Sequence, residues 1–312
     1  MDSGAASGPE AAILRGRSLP RVEWRTLGLV AVCYAVWAGA VALLAPLSLW
    51  LAVPVAAVAI ALHSSLTHEA IHGHPFRAAW LNAALMFPAL SLCVPYGRFK
   101  ATHLAHHHDE TLTDPYDDPE SNYLDPVVWG RLTGAARALL RFNNTLAGRL
   151  TVGPLVGQVM WMAGDLRLIR KGDRSVLRDW LAHLPAAALV LWLVALSPMP
   201  VWAYLLAAYI GLALIKIRTF LEHQAHEKAR ARTVIIEDRG PLAFLFLNNN
   251  LHVVHHMHPQ VPWYDLPALY RSNRDHYLRR NEGYRFRSYA EVFRRYLSKA
   301  KDPVPHPLWP KD

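Results

Sequence analysis

The sequence predicts an all-α, multi-pass membrane protein with about four transmembrane helices in two hairpins, a re-entrant segment between them and a helical cap on one face. Three observations support this fold class. Only 18% of the 312 residues are charged, whereas about 25% is usual in soluble domains. Long runs contain no charged residue at all, and clustered histidines follow the ends of these runs.

The first charge-free run covers residues 26–67, which is 42 consecutive positions without Asp, Glu, Lys or Arg. One bilayer crossing needs about 20 apolar residues, so this run fits two helices. Pro46 lies near its middle and predicts the turn between them. A soluble helix pair would need a polar stripe facing water, which this run lacks.

Two further runs complete the predicted membrane part. Residues 180–215 are also uncharged and contain the turn signal SPMP at 197–200, which predicts a second hairpin. Residues 78–97 form a shorter run interrupted by Pro88 and Pro95. A full span is one interpretation of this third run, but the prolines favour a shallow or re-entrant segment.

The distribution of basic residues predicts the orientation. Four arginines precede the first span, the two turns within the hairpins carry no charge, and the chain after residue 218 is rich in Arg and Lys. By the positive-inside rule, both termini and the cap should be cytoplasmic, as in a bacterial inner-membrane protein. The basic first 25 residues lack the apolar core of a cleaved signal peptide.

We expect one integral membrane domain over residues 1–312, with a cytoplasmic segment 1–25, a core 26–270 and a basic cytoplasmic segment 271–312. Within the core, residues 127–150 mix apolar and basic positions at helical spacing, and residues 156–169 are largely apolar and are followed by Arg170 and Lys171. They predict either amphipathic helices in the membrane interface or ordinary packing helices of the cap. The net charge of +9 favours contact with a lipid surface or an acidic partner rather than nucleic acid, because the charge-free runs do not suit a nucleic-acid-binding protein.

Histidine and cysteine usage narrows the chemistry. Fourteen of the 17 histidines fall within residues 63–74, 103–108, 223–226 and 252–258. The two cysteines, Cys33 and Cys93, are too few for a four-cysteine zinc site, a thiolate-ligated iron–sulfur cluster or a disulfide scaffold. Imidazole is therefore the candidate metal ligand.

The spacing of the histidines is that of metal ligands on helices. HEAIH at 68–72 places two imidazoles at i and i+4, and HLAHH at 103–107 and HVVHH at 252–256 place three at i, i+3 and i+4. Such residues share one helix face, with Cβ atoms about 5–6 Å apart. Eight imidazoles exceed the roughly four to six ligands of one ion, which predicts two metal ions. These eight are His68, His72, His103, His106, His107, His252, His255 and His256.

Other histidines receive weaker predictions. His74, His108 and His258 extend the clusters and are expected beside the site or at the surface. His63 is expected to be a packed or hydrogen-bonded side chain. The HExxH pattern at 68–72 also fits a zinc metalloprotease, but that enzyme class leaves both HxxHH boxes unexplained.

With three histidine boxes in this order and hairpins between them, the chain resembles the membrane fatty acid desaturase/hydroxylase superfamily. The resemblance covers roughly residues 25–270. It implies a non-haem di-iron centre that activates O₂ to remove hydrogen from an unactivated C–H bond. In that family a further histidine after the fourth span commonly completes the site, which favours His223, with His226 as the alternative.

Polar residues near the boxes are candidates for supporting roles. Asn248 lies four residues before His252, in an NxxxHxxHH pattern similar to that of alkane hydroxylases, and fits either a helix N-cap or a group that orients an imidazole or a metal-bound water. Asp118 belongs to an acidic stretch, 114–120, whose carboxylates fit acceptors for the distal N–H of ligating histidines or a solvated turn.

The resemblance implies an O₂-dependent oxidoreductase that introduces a double bond into a fatty acyl chain of a lipid. Hydroxylation of an alkyl, carotenoid or sphingoid chain is the alternative within the fold. An intramembrane zinc metalloprotease and a non-catalytic metal-handling membrane protein are the alternatives outside it. Because the sequence contains neither a haem motif nor a cysteine cluster, we expect a separate electron donor of the ferredoxin, rubredoxin or cytochrome b5 type.

Overall fold

A computed structural model describes residues 22–108 and 110–309 and is mostly helical. The predicted N-terminal segment 1–25 lies almost wholly outside the described residues. The helices are α1 (Trp24–Gly39, continued by a π-helical turn, Ala40–Leu44), α2 (Leu49–Ile71), α3 (Ala79–Leu85), α4 (Tyr96–His106), α5 (Pro126–Arg131), α6 (Gly134–Asn143), α7 (Leu146–Thr151), α8 (Gly153–Arg170), α9 (Arg174–Ala195), α10 (Val201–Thr219), α11 (Pro241–Leu245), α12 (His252–Met257), α13 (Leu266–Ser272), α14 (Arg274–Arg280) and α15 (Tyr289–Tyr296). A 3₁₀ turn, Ala229–Ala231, and two parallel strands, β1 (Ile235–Ile236) and β2 (Arg285–Phe286), complete the cap.

Four helices are long and apolar enough to cross a membrane: α1 with its π-helical turn, α2, α9 and α10. The prediction of four spans in two hairpins is confirmed. The first turn lies between Leu44 and Leu49, and the second between Ala195 and Val201, as the prolines predicted. The protein is therefore an integral membrane protein.

Helices α2 and α10 form the centre of the membrane bundle. Their contact surface is rich in buried alanines, which allow close approach of helices in lipid. Gly211 of α10 lies at a point of close approach, because a Cβ there would lie 2.8 Å from Cγ2 of Ile60 and 3.0 Å from the carbonyl oxygen of Ala57. Exposed tryptophans occur at the helix ends, including Trp24, Trp50 and Trp202, a position typical of interfacial anchors.

The third charge-free run does not span the membrane. It forms the seven-residue helix α3 followed by turns, and a crossing needs about 20 helical residues. The alternative of a full span is therefore wrong. Side chains of the long helices satisfy the free carbonyls of this segment: Tyr34 binds Leu85 at 2.7 Å, Tyr204 binds Leu90 at 2.8 Å, His183 binds Leu92 at 2.9 Å and Gln158 binds Cys93 at 2.8 Å. Irregular backbone at membrane depth requires such internal partners.

Helices α5 to α8 cover the region in which two amphipathic helices were predicted. The stretch 127–150 forms three short helices instead of one, because breaks follow Arg131 and Asn143, and the stretch 156–169 lies within α8. Many of their apolar side chains are exposed, including Val127, Phe142 and Leu155. Their location in a membrane interface stays a prediction.

One buried ion pair connects α8 with the rest of the molecule. Asp165 of α8 accepts two hydrogen bonds from Arg98 of α4, at 2.7 and 3.0 Å, and a third from the indole of Trp180 of α9, at 2.8 Å. Both charged side chains are buried or nearly so, at 11% exposure for Arg98 and 3% for Asp165. Helix α4, which carries the second histidine box, is thereby fixed to a spanning helix.

A carboxylate organises the cap around the two strands. Glu237, directly after β1, accepts hydrogen bonds from Tyr270 of α13 at 2.7 Å, Arg274 of α14 at 2.6 Å and Arg285 of β2 at 2.6 Å. Burial of this carboxylate opposes its ionisation. The hydrogen bonds from Arg274 and Tyr270, together with the positive charges of Arg274 and Arg285, outweigh burial and lower the pKa of Glu237 from 4.5 to about 2.

Because this pKa is depressed in the folded state, ionised Glu237 stabilises the protein above about pH 4.5, and the contribution is lost as the pH falls toward about 2. We expect Glu237→Gln to lower the free energy of unfolding by about 1 kcal/mol at neutral pH. Thermal unfolding in detergent across this pH range measures the difference, which should shrink on acidification. A difference that is independent of pH would contradict the assignment.

Candidate metal centre

The nine histidines predicted as ligands all lie together where the end of α2 meets the cap. They form two groups in which the candidate ligand atoms lie within 4.8 Å of one another. The first group is His68, His72, His103, His107 and His255, and the second group is His106, His223, His252 and His256.

Helix periodicity explains how each HxxHH box serves both groups. In α4 and at its end, His103 and His107 are one turn apart and belong to the first group, whereas His106 belongs to the second. In α12 the pattern is reversed, because His255 belongs to the first group and His252 and its i+4 neighbour to the second. The two groups are therefore adjacent.

The nitrogen atoms are spaced as ligands of a common ion would be. The Nε2 atom of His106 lies 2.8 Å from that of His223, and His103 and His107 approach to 3.0 Å. Nitrogens about 2.1 Å from one ion are roughly 3.0–3.4 Å apart. Within the described residues, the buried Nε2 of His68 has no hydrogen-bond partner, which a metal ion would supply.

Protonation in the metal-free site also suits metal binding. Burial, together with the neighbouring imidazoles, holds the pKa of His107, His223 and His255 well below its usual value. These rings are therefore neutral and present a lone pair. His106 differs: burial opposes protonation, but Glu120 and Asp118 raise its pKa to about 9, so metal binding there displaces a proton.

Carboxylates of the acidic stretch orient two of the imidazoles. Oδ1 of Asp118 accepts from Nδ1 of His106 at 2.7 Å, and Oε1 of Glu120 accepts from Nδ1 of His103 at 2.9 Å. These contacts are of the kind predicted for the acidic stretch. With the proton held on Nδ1, each ring in its neutral form offers the Nε2 lone pair to the centre, which is the usual arrangement around a metal-binding histidine.

We expect Asp118→Asn to weaken metal binding at the second group roughly 10- to 100-fold, the usual effect of losing a partner of a ligating histidine. An amide can present its N–H to Nδ1 and so favour the wrong tautomer of His106. Metal titration of the metal-free protein measures the effect. Asp117→Asn is the matched control, because Asp117 is exposed one residue away. Equal metal affinity in the two variants would contradict the role of Asp118.

The remaining sequence candidates lie outside the two groups. His226 contacts Glu282 at 3.5 Å, so only His223 of this pair joins the histidines. His74 contacts the buried Glu23 at 2.6 Å, His108 is exposed, and the His258 ring faces Tyr277.

Of the two roles predicted for Asn248, the N-cap of α12 is not seen in the described residues, and the role of orienting an imidazole or a metal-bound water stays a prediction. Its amide donates to the Trp263 carbonyl at 2.9 Å, and α12 has no side-chain cap. The positive φ of Leu247 and Asn248, 51° and 57°, turns the backbone, and the next residue, Asn249, lies 3.0 Å from Nδ1 of His252. Asn249 in turn donates to Glu222 at 3.1 Å, and Glu222 pairs with Arg218.

Sequence reasoning did not single out Asn249 or Glu222. The only signal was the run of three asparagines at 248–250, which does not reveal which amide faces the histidines. Arg218 and Glu222 are four residues apart, about one helical turn, and this spacing alone does not identify them as an ion pair. Asn249 and Glu222 therefore support the second group through His252.

Comparison with known proteins agrees with this geometry. No curated protein matches the chain. The Fatty acid desaturase family matches residues 44–288, which include both histidine groups and three of the four candidate spans, together with the end of the first. With four membrane helices and histidine clusters consistent with a di-iron site, this chain belongs to the fatty acid desaturase family.

Proposed function

We propose that the protein is an O₂-dependent di-iron enzyme that introduces a double bond into a fatty acyl chain of a membrane lipid. The observation that carries this proposal is the division of nine histidines into two adjacent groups within a chain of the fatty acid desaturase family. All-nitrogen ligand sets of this kind suit iron.

The residues have separate tasks in this proposal. His68, His72, His103, His107 and His255 would hold one iron, and His106, His223, His252 and His256 the other. Bound iron would supply O₂ activation for removal of hydrogen from an unactivated C–H bond. Asp118, Glu120 and Asn249 keep their imidazoles in the tautomer that presents Nε2 to the metal.

The position of the groups supports a lipid substrate. His68 lies in the last turn of α2, and His223 follows the end of α10 by four residues. An acyl chain within the bilayer would therefore approach the site along the spanning helices. With both termini and the cap on the cytoplasmic side, as the basic residues favour, the site would face the cytoplasm at the membrane surface.

Lipid mass spectrometry after heterologous expression tests the reaction. A product lighter by two hydrogen atoms supports desaturation, whereas a product heavier by one oxygen atom supports the hydroxylase alternative. Cells that express a His255→Ala variant provide the control. Metal analysis of the purified protein tests the class of enzyme: two irons per chain agree with the proposal, and a single zinc would contradict it in favour of the metalloprotease alternative.

We further propose that a separate acidic electron donor docks on the basic C-terminal face. Arg279 of α14 and Arg294 and Arg295 of α15 are exposed there. Complementary charge chiefly accelerates the encounter of two proteins. We expect combined Arg→Glu changes at Arg279, Arg280, Arg294 and Arg295 to raise KM for the donor, measured by steady-state kinetics.

Two exposed basic residues elsewhere, Arg170 and Lys171 at the end of α8, give the control for charge reversal. Their replacement by glutamate should leave the donor KM unchanged. If both sets of changes shift KM equally, or neither does, the proposed docking face is wrong.

A further inference from the structure

The last described residues form a strap across the cap. Residues 300–309, here called the C-terminal strap, pair with the loop that follows the second histidine box: Leu124 N–H donates to the Val304 carbonyl at 3.0 Å, and His306 N–H donates to the Leu124 carbonyl at 2.8 Å. Lys301 N–H also donates to the Asn144 carbonyl at 3.1 Å. This strap lies beyond residue 288, where the match to the family ends.

The strap contacts the backbone around His223 at two points. The ammonium of Lys301, whose side chain is only 10% exposed, donates to the His223 carbonyl. The hydroxyl of Tyr123 accepts from the N–H of Ala225 at 2.8 Å and donates to the carboxylate of Asp302. The two ends of the short segment 223–225 are thereby attached to neighbouring residues of the strap.

His223 depends on its backbone more than the other oriented histidines do. His103, His106 and His252 each have a carboxylate or amide oxygen within 3.0 Å of Nδ1. For His223, the corresponding contact is the hydroxyl of Thr233 at 3.4 Å. A hydroxyl at that distance is a weak hydrogen-bond partner, so the place of the ring is determined mainly by where the backbone holds it.

The strap also contacts the loop that orients His106, the histidine whose Nε2 lies 2.8 Å from that of His223. Nε2 of His306 lies 3.2 Å from the hydroxyl of Thr113. The backbone N–H of Thr113 donates to Asp118 at 2.9 Å, and Asp118 is the partner of His106. The strap therefore contacts the supports of both His106 and His223, whose Nε2 atoms are 2.8 Å apart.

We propose that the C-terminal strap positions the second metal site, with Lys301 as the positioning residue that fixes His223. This inference rests on the proposed metal site but not on the reaction carried out there. Loss of the Lys301 contact should weaken the second site and leave the first unchanged, because no ligand of the first group has a hydrogen bond to the strap in the described part of the chain.

Cobalt(II) titration of the metal-free protein, followed by visible absorption, tests the proposal. We expect the wild-type protein to bind two ions and Lys301→Met to bind one of them roughly 10- to 100-fold more weakly, the effect typical of a residue that supports a ligand. Lys301→Arg retains a cationic donor and should restore most of the affinity. Lys299→Met is the matched control, because Lys299 is exposed two residues away.

A second variant covers the case in which Lys301→Met fails to fold. Tyr123→Phe removes the hydroxyl that joins Ala225 to Asp302 and should weaken the same single cobalt site. Equal affinity for both ions in Lys301→Met and wild-type protein would overturn the proposal, as would equal weakening of both sites. A wild-type protein that binds fewer than two cobalt ions would overturn the metal-site proposal itself, and the role of the strap with it.

Discussion

The proposed di-iron centre predicts that replacing His255 by alanine removes one of its two metal ions and brings turnover below detection, while the membrane fold is retained. His255 lies at the centre of the first group: its Nε2 is 3.2 Å from that of His107, and its ring centre is 4.6 Å from that of His68 and 4.8 Å from that of His72. Its loss leaves four imidazoles in the first group and would open one coordination position of the ion to solvent. Iron content and product formation measure the effect.

His106→Ala should have the same effect on the second group, whose members include its close partner His223. His276→Ala is the control, because His276 lies in α14 outside both groups. Retention of two irons and of normal turnover in either His255→Ala or His106→Ala would contradict the assignment of that group. Loss of activity in the His276→Ala control would instead indicate a general effect on folding.

The second large effect is expected at the ion pair between Arg98 and Asp165. Among the described residues, Arg98→Met would leave the buried Asp165 carboxylate with only the Trp180 indole as a side-chain donor. Removing one member of a buried ion pair typically costs about 3–5 kcal/mol, because the other charge is left uncompensated. Thermal unfolding in detergent measures the loss, and metal content should fall with it since α4 and its C-cap residue carry three of the histidines.

The double variant Arg98→Met/Asp165→Leu separates charge from shape. Replacement of a buried pair by apolar residues of similar volume is often neutral, so the double variant should recover most of the stability lost in Arg98→Met. If the double variant is as unstable as the single one, the pair contributes through packing and not through the isolated charge of Asp165.

The sequence was most informative in two places: where a long run lacks charged residues, and where histidines recur at helical spacing. Runs without charge predicted four spans and both turns, because a helix in lipid cannot tolerate uncompensated charge. The i, i+3 and i+4 spacing predicted which histidines would meet, since helix geometry places such residues on one face. The division of each HxxHH box between two groups depends on how α4 and α12 face each other, which spacing alone does not determine.

Contacts between distant segments were not predictable. The contact between Asn249 and His252 depends on a backbone turn with positive φ at the two preceding residues. The pairing of Asp165 with Arg98 joins residues 67 positions apart. The attachment of Lys301 to His223 joins residues 78 positions apart and depends on the path of an irregular strap. No local pattern in the sequence encodes these three contacts.

Each histidine group draws its members from segments far apart in the chain. His107 and His255 are 148 positions apart, and His106 and His223 are 117 apart. A bound ion would therefore act as a cross-link that closes very long loops, and metal would favour the folded state by binding it alone. No fragment that ends before α12 contains either complete group. The metal content of a preparation should consequently report whether the entire chain, from the second span to the third histidine box, has assembled.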